Sequence, residues 1–184
     1  MLRSMLAAAV IALFASPQAQ AATTDLATFA AGCYWCVESD FDKVKGVLET
    51  TPGFMGGETG HTEVVNVAFD PAVVTYQRLL DHYWVNVDLV DGTGQFCDRG
   101  SQYRPAIFVY NDEQRKLADA SKQAIVNSKQ FKEPVVVEIN AASAFTPAPD
   151  PDYYKLNPVR YKFYRAGCGR DARLKQLWGD KAGH

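Results

Sequence analysis

The chain has 184 residues, of which 47% are hydrophobic, 12% aromatic and 22% charged. These proportions are ordinary for a globular protein, and they exclude a disordered chain, a collagen-like repeat and a disulfide-dense miniprotein. The formal net charge of −2 gives no basic surface for nucleic acid. The four cysteines are too few for a disulfide framework at this length, so each needs its own explanation.

The first 21 residues have the features of a signal peptide. Arg3 supplies a positive charge, the apolar run at 6–15 is too short to span a bilayer, and residues 19–21 give the small-x-small pattern of a cleavage site. A buried N-terminal helix is the less favoured interpretation because Pro17 interrupts the run. We therefore expect one mature domain over residues 22–184, exported to the periplasm, where thiols tend to be oxidised.

The hydrophobic pattern predicts the element order β-α-β-β-α-β-α-β. The predicted elements are a strand at 27–31, a helix at 33–45, strands at 47–54 and 63–69, a helix at 76–84, a strand at 106–110, a helix at 112–128 and a strand at 134–139. A loop is expected at 88–102 and an extended, proline-rich tail from 141. The first six elements have the βαββαβ order of a ferredoxin-like core. We therefore predict an α+β two-layer sandwich with a mixed sheet and helices on one face.

Cys33 and Cys36 form a CxxC pair where the first strand passes into the first helix. A thiol at a helix N-terminus lies near the positive end of the macrodipole, which favours the thiolate, and Gly32 permits a tight turn that leaves the sulfur accessible. We therefore predict a nucleophilic Cys33 with Cys36 as a candidate redox partner. A structural disulfide between them and half of a zinc site are the alternatives. Zinc is disfavoured because Cys97 and Cys168 are isolated in the sequence and the histidines show no ligand pairing.

Two aromatic residues, Tyr34 and Trp35, directly follow the candidate nucleophile. Consecutive side chains in the first turn of a helix cannot both face the core, so at least one should line a pocket beside the sulfur. An apolar aromatic pocket suits a methyl or thioether group.

Several ordered segments together resemble the A-type peptide-methionine sulfoxide reductases. The segment GCYWCVE at 32–38 is similar to the family's Gly-Cys-Phe-Trp signature, and GFMGG at 53–57 is similar to its Gly-Tyr-Thr-Gly-Gly. The segments TGHTE at 59–63, FDP at 69–71, YQRLL at 76–80 and DRGSQYR at 98–104 also fit. The resemblance covers about residues 29–178. It implies a ferredoxin-like fold and thiol-dependent reduction of the S-epimer of methionine sulfoxide, free or in proteins, to methionine.

The resemblance also implies a role for each of six residues. They are the nucleophile Cys33, the proton donor Glu63, the oxygen-binding residues Asp98 and Tyr103, and the methyl-pocket residues Tyr34 and Trp35. To donate a proton near neutral pH, Glu63 needs a raised pKa, which partial burial would provide.

After the attack Cys33 would be left as a sulfenic acid, and a second thiol would condense with it to form a disulfide. We favour Cys168, on the C-terminal tail, as the resolving cysteine, followed by Cys36, and Cys97 is a third candidate because it adjoins Asp98. The resemblance implies no bound cofactor and an external thioredoxin-like dithiol that reopens the disulfide. We expect a monomer that acts on oxidised proteins or free methionine sulfoxide, binds no metal or nucleic acid and does not span a membrane.

The chain departs from the family pattern in two segments. Only Glu58 stands between Gly57 and Thr59, where the family has a longer loop that carries a second oxygen-binding tyrosine, and the tail lacks the family's histidine. These departures keep open an inactive module that binds oxidised methionine. The CxxC pair keeps open an exported thiol–disulfide oxidoreductase of thioredoxin type.

Overall fold

The computed structural model describes residues 23–56 and 61–183. The predicted signal peptide and the shortened loop around Glu58 lie outside the described residues. Within the described ranges, no helix has the length and apolar character needed to cross a membrane.

The described residues form eight strands, six α-helices and two short 3-10 turns. The strands are β1 (Asp25–Ala30), β2 (Val47–Met55), β3 (Thr62–Phe69), β4 (Gly94–Gln95), β5 (Asp98–Arg99), β6 (Ala106–Val109), β7 (Glu138–Ala141) and β8 (Phe145–Pro147). The helices are α1 (Tyr34–Phe41), α2 (Tyr76–Trp84), α3 (Asp112–Ser128), α4 (Tyr153–Leu156), α5 (Pro158–Gly167) and α6 (Arg170–Trp178).

Six strands form one sheet in the order β7-β6-β1-β3-β2-β8. The β6–β7 pair is parallel and the other neighbours are antiparallel, which confirms the predicted mixed sheet. The last predicted strand begins later than expected, at Glu138. Two features were not predicted: β8 pairs with the outer side of β2, and β4 and β5 form a small hairpin inside the predicted loop.

The main core lies between one face of this sheet and helices α1, α2 and α3. Along β3, Val65 and Val67 face this core, whereas Val64 faces a smaller cluster on the opposite side, as the alternation of a strand requires. Phe29 of β1 stacks on Phe41 of α1 with 4.7 Å between ring centroids. This packing fixes the end of β1 against the start of α1, where the candidate nucleophile lies.

The prediction of an extended C-terminal tail is wrong, because the segment folds into α4, α5 and α6. Pro158 stands in the first turn of α5, where the missing N–H of proline is not needed. Arg170 at the start of α6 is buried, and its guanidinium donates to the carbonyls of Ala31 (2.9 Å) and Asn86 (2.7 Å). These bonds hold the C-terminal helices against the end of β1.

Candidate active site

The turn between β1 and α1 is built around Gly32. Its φ is +86°, and a Cβ atom at this position would lie 2.6 Å from the Cβ of Gln95, so a side chain here would require the neighbouring loop to move. Cys33 follows as the N-cap residue of α1, which agrees with the predicted helix start. Its thiol is free but only 8% of the residue is exposed, so the sulfur is more buried than predicted.

The free thiols of Cys33 and Cys36 are hydrogen-bonded to each other. This bond and burial raise the pKa of Cys33. The same bond, together with the positive charges of Arg170 and Arg165, lowers the pKa of Cys36 to about 7. The prediction that the helix terminus lowers the pKa of Cys33 is therefore wrong for the resting protein, because Cys36 takes the negative charge first. When Cys36 is ionised, the pair therefore shares one proton.

Glu63 lies beside the start of α1. Its Oε2 accepts a 3.1 Å hydrogen bond from the backbone N–H of Tyr34, the residue after Cys33. Burial raises the pKa of Glu63 from 4.5 to about 7, and the negative charges of Asp98 and Asp150 add to this effect. The carboxyl is therefore about half protonated at neutral pH, a state suited to donating a proton.

Asp98 and Tyr103 are brought to the same site by β5 and the 3-10 turn that follows it. The charge of Asp98 raises the pKa of Glu63, and burial together with the charge of Glu63 raises the pKa of Tyr103. Asp98 also accepts a 2.6 Å hydrogen bond from the hydroxyl of Tyr164 in α5. Sequence reasoning missed Tyr164 because the tail was expected to be extended, although Pro158 followed by Tyr161 and Tyr164, at intervals of three residues, is a signal for a helix.

The aromatic pair after the nucleophile divides as predicted, with Tyr34 buried and Trp35 partly exposed. Both are held by Asp150, which accepts from the Tyr34 hydroxyl at 2.6 Å and from the Trp35 indole N–H at 2.9 Å. Trp35 stacks on Tyr153 with 3.8 Å between centroids and meets the ring of Tyr164 edge-on at 5.5 Å. Asp150 was missed because an acidic residue between two prolines is indistinguishable from a turn residue in the sequence.

Cys97 and Cys168, which are isolated in the sequence, are joined by a disulfide. Cys97 directly precedes Asp98, and the N–H of Cys168 donates to the carbonyl of Tyr164 at 2.9 Å. The disulfide therefore connects the same two elements as the hydrogen bond between Asp98 and Tyr164. Cys168, the favoured resolving candidate, has Cys97 as its partner in this state, whereas Cys36 remains a free thiol beside Cys33.

The fold and these side chains define a thiol-based oxidoreductase. Two free thiols share a proton at the start of a buried helix, and a carboxyl with a pKa of about 7 lies beside them. The family model described as "Peptide methionine sulfoxide reductase" matches residues 25–182. The chain belongs to this family and is thus a peptide-methionine (S)-S-oxide reductase, as the sequence motifs indicated.

Relatives of known function match the chain over almost all of its length. Peptide methionine sulfoxide reductase MsrA of Bacillus licheniformis is 45% identical over 172 residues, covering 85% of this chain and 95% of its own. Peptide methionine sulfoxide reductase MsrA 2 of Rhizobium meliloti is 45% identical and covers 89% of this chain and 88% of its own. These relatives do not favour the alternative of a general thiol–disulfide oxidoreductase.

Solved structures share the fold. Methionine sulfoxide reductase A of Corynebacterium diphtheriae has a TM-score of 0.64 and 26% identity, covering 77% of this chain and 78% of its own. Reduced Mxr1 of Saccharomyces cerevisiae has a TM-score of 0.69 and 23% identity, covering 76% of this chain and 89% of its own. A second structure of Mxr1, in complex with Trx2, has a TM-score of 0.53 and 21% identity, covering 73% of this chain and 87% of its own.

Proposed function

We propose that Cys33 is the sulfur that reduces methionine sulfoxide, that Glu63 protonates the departing oxygen and that Cys36 resolves the oxidised nucleophile. The observation that carries this assignment is the position of the Glu63 carboxyl. It is bonded to the backbone N–H next to the nucleophile, and its pKa is raised to about 7. A surface carboxylate with an ordinary pKa could not hold a proton for this reaction at neutral pH.

The first step transfers oxygen between two sulfur atoms. The Cys33 sulfur attacks the sulfoxide sulfur as its own proton passes to Cys36, and Glu63 donates a proton to the sulfoxide oxygen. A transient bond forms between the two sulfur atoms as the sulfur–oxygen bond of the substrate breaks. The released oxygen then bonds to the Cys33 sulfur while the sulfur–sulfur bond breaks, and the products are methionine and a Cys33 sulfenic acid. The methionine sulfur gains two electrons and the Cys33 sulfur loses two, so no further reductant is consumed at this stage.

The environment of the nucleophile suits the substrate. Asp98 and Tyr103, which both interact electrostatically with Glu63, would orient the sulfoxide oxygen, and the partly exposed ring of Trp35 would provide an apolar surface for the methyl group. Asp150 holds Trp35 and the neighbouring Tyr34 by one bond to each ring. The pocket wall is therefore fixed before the substrate binds, which reduces the entropy lost on binding.

The second step forms a disulfide between Cys33 and Cys36. These thiols interact directly in the resting protein, and the positive charges of Arg170 and Arg165 lower the pKa of Cys36, which favours its thiolate for the attack on the sulfenic acid. One water molecule leaves. Cys168, already paired with Cys97, is not available for this attack unless that disulfide is first reduced.

A dithiol protein of thioredoxin type reduces the Cys33–Cys36 disulfide that the second step forms. Support comes from Mxr1, a protein of the same fold, which has been solved in complex with Trx2. We further propose that the mature protein works in an exported, periplasmic location. The leader-like first 21 residues support this location, and so does the Cys97–Cys168 disulfide, because such bonds persist in oxidising compartments.

The test is a single turnover, with each epimer of methionine sulfoxide, of protein that has free thiols at Cys33 and Cys36 and an intact Cys97–Cys168 disulfide. We expect one methionine per protein from the S-epimer, none from the R-epimer, and the loss of the two thiols of Cys33 and Cys36. Mass mapping of the disulfide identifies the pair that forms. A Cys33→Ser variant that still releases methionine would refute the assignment of the nucleophile.

A further inference from the structure

The hydroxyl of Tyr164 lies between the nucleophile and the oxygen-binding carboxylate. It donates to Oδ2 of Asp98 at 2.6 Å and lies within hydrogen-bonding reach of the Cys33 sulfur. A tyrosine hydroxyl has a single proton, so it cannot donate to both groups at once. This proton can therefore turn from Asp98 toward an oxygen atom that enters beside the sulfur.

The sulfoxide oxygen must occupy this space when the substrate sulfur meets Cys33. The attacking and attacked sulfur atoms approach to bonding distance, and the oxygen is attached directly to the attacked sulfur. A donor that touches Cys33 is therefore also close to that oxygen in the transition state. Negative charge grows on the oxygen as the new sulfur–sulfur bond forms, and a fixed donor stabilises this charge.

The sequence gives an independent reason to look for such a donor. The loop between Gly57 and Thr59 has a single residue, so it has no tyrosine to offer. Tyr103 is then the hydroxyl that the known motifs provide near Glu63. Tyr164 supplies a second hydroxyl from α5, a different part of the chain.

We propose that Tyr164 is a catalytic residue, whose hydroxyl donates a hydrogen bond to the sulfoxide oxygen while Cys33 attacks. The proposal rests on the proposed function. Tyr164 keeps its proton, since Glu63 supplies the proton that the oxygen takes away. Its contribution is to stabilise the oxygen in the transition state, and Asp98 returns the hydroxyl to its resting position.

The disulfide between Cys97 and Cys168 holds this arrangement in place. Cys97 neighbours Asp98, and Cys168 lies one helical turn after Tyr164, with its N–H bonded to the Tyr164 carbonyl at 2.9 Å. The covalent link therefore joins the two segments that provide the hydroxyl and the carboxylate. It limits how far α5 can move from the site.

The experiment compares Tyr164→Phe with a matched control, Tyr154→Phe. Both substitutions remove a hydroxyl that donates to a carboxylate, since Tyr154 donates to Asp42 at 2.5 Å outside the active site. Phenylalanine at 164 keeps the ring that contacts Trp35. The readouts are the rate of methionine release in a single turnover with the S-epimer, the KM for that substrate, and the rate of Cys33 alkylation by iodoacetamide.

We expect Tyr164→Phe to release methionine about 100-fold more slowly, as for the loss of one donor to a developing oxyanion, with KM and alkylation changed less than about threefold. The Tyr154→Phe variant should keep the wild-type rate. Equal rates in the two variants would overturn the role of Tyr164, and so would a loss explained by slower alkylation or weaker binding alone. A wild-type protein that releases no methionine would instead refute the proposed function, and this role with it.

Discussion

Replacing Glu63 by glutamine tests the proton donor in two ways, through catalysis and through stability. Glutamine has nearly the same shape, and its carbonyl oxygen can still accept the 3.1 Å bond from the N–H of Tyr34. The substitution removes only the ability to gain and lose a proton. We expect methionine release to fall by about 10²- to 10⁴-fold, the range for loss of a general acid.

The stability effect follows from the raised pKa of Glu63. An increase from 4.5 to about 7 means that ionising this carboxyl costs about 3 kcal/mol more in the folded protein than in the unfolded chain. Because the folded pKa is the higher one, the favourable contribution is fully present below pH 4.5 and is lost as the pH rises to 7. Glu63→Gln should therefore be up to about 3 kcal/mol more stable relative to wild type at pH 8 than at pH 4, or about 10 °C in Tm.

The assay measures Tm of both proteins at pH 4 and pH 8, together with single-turnover rates from pH 5 to 9. The wild-type rate should decline above pH 7 as Glu63 ionises. Ionisation of the thiol pair also affects this rate, whereas the Tm difference between wild type and Glu63→Gln reports the ionisation of Glu63 alone. Glu38→Gln is the matched control. The pKa of Glu38 is also raised to about 7 by burial, and its Oε1 accepts from the N–H of Asp152. Glu38→Gln should show the same stability signature with the rate preserved.

Two results would refute this reasoning. A Tm difference between Glu63→Gln and wild type that is the same at pH 4 and pH 8 would show that the Glu63 carboxyl titrates normally. A Glu63→Gln variant that releases methionine at the wild-type rate would show that another group protonates the oxygen.

Three further variants test the remaining parts of the site. Cys36→Ser should still release one methionine per protein in a single turnover. Its steady-state turnover with a dithiol should fall by about an order of magnitude, and dimedone should trap the Cys33 sulfenic acid. Normal turnover would exclude Cys36 as the resolving thiol. The double substitution Cys97→Ser with Cys168→Ser opens a link across 71 residues and should cost about 4 kcal/mol in urea unfolding, with thiol-driven turnover largely preserved. Complete loss of turnover with a thioredoxin-like reductant alone would instead show that this pair relays electrons. Asp150→Ala removes the acceptor of the Tyr34 hydroxyl and should cost about 2 kcal/mol and raise KM, and an unchanged KM would contradict a role in shaping the pocket.

The local part of the site could be predicted from the sequence. Gly32 and Cys33 occupy the end of β1 and the start of α1, a turn specified by neighbouring residues and by the positive φ that glycine tolerates. Glu63 was assigned through its motif, although no pattern in the strand itself distinguishes it from an exposed carboxylate. Its raised pKa depends on burial by other segments, which the sequence does not display.

The part supplied by the C-terminal segment could not be predicted in the same way. Asp150 and Tyr164 reach the site through contacts over more than 100 residues of chain, to Tyr34 and Cys33 respectively. The prolines were interpreted as preventing helices, whereas they stand before α4 and in the first turn of α5. The pairing of Cys97 with Cys168 was hidden for the same reason, since it depends on where α5 packs.

The C-terminal helices also set the charge around the site. A protonated Glu63 and an ionised Cys36 need opposite electrostatic surroundings. Glu63 keeps its proton through burial and the negative charges of Asp98 and Asp150, which would oppose a thiolate nearby. The thiolate of Cys36 is instead stabilised by Arg165 and Arg170, which stand at the end of α5 and the start of α6.

These two arginines are held by Asp40 of α1, with nitrogen–oxygen distances of 2.9 and 3.2 Å. The positive charges of Arg165 and Arg170 therefore act on Cys36, while the negative charges of Asp98 and Asp150 act on Glu63. Tyr164 and Arg165 are consecutive residues of α5. The first donates a hydrogen bond to Asp98, and the second lowers the pKa of Cys36. A protonated Glu63 and an ionised Cys36 can then coexist in one site, and this arrangement depends on charges from outside the β1–α1 turn and the CxxC pair.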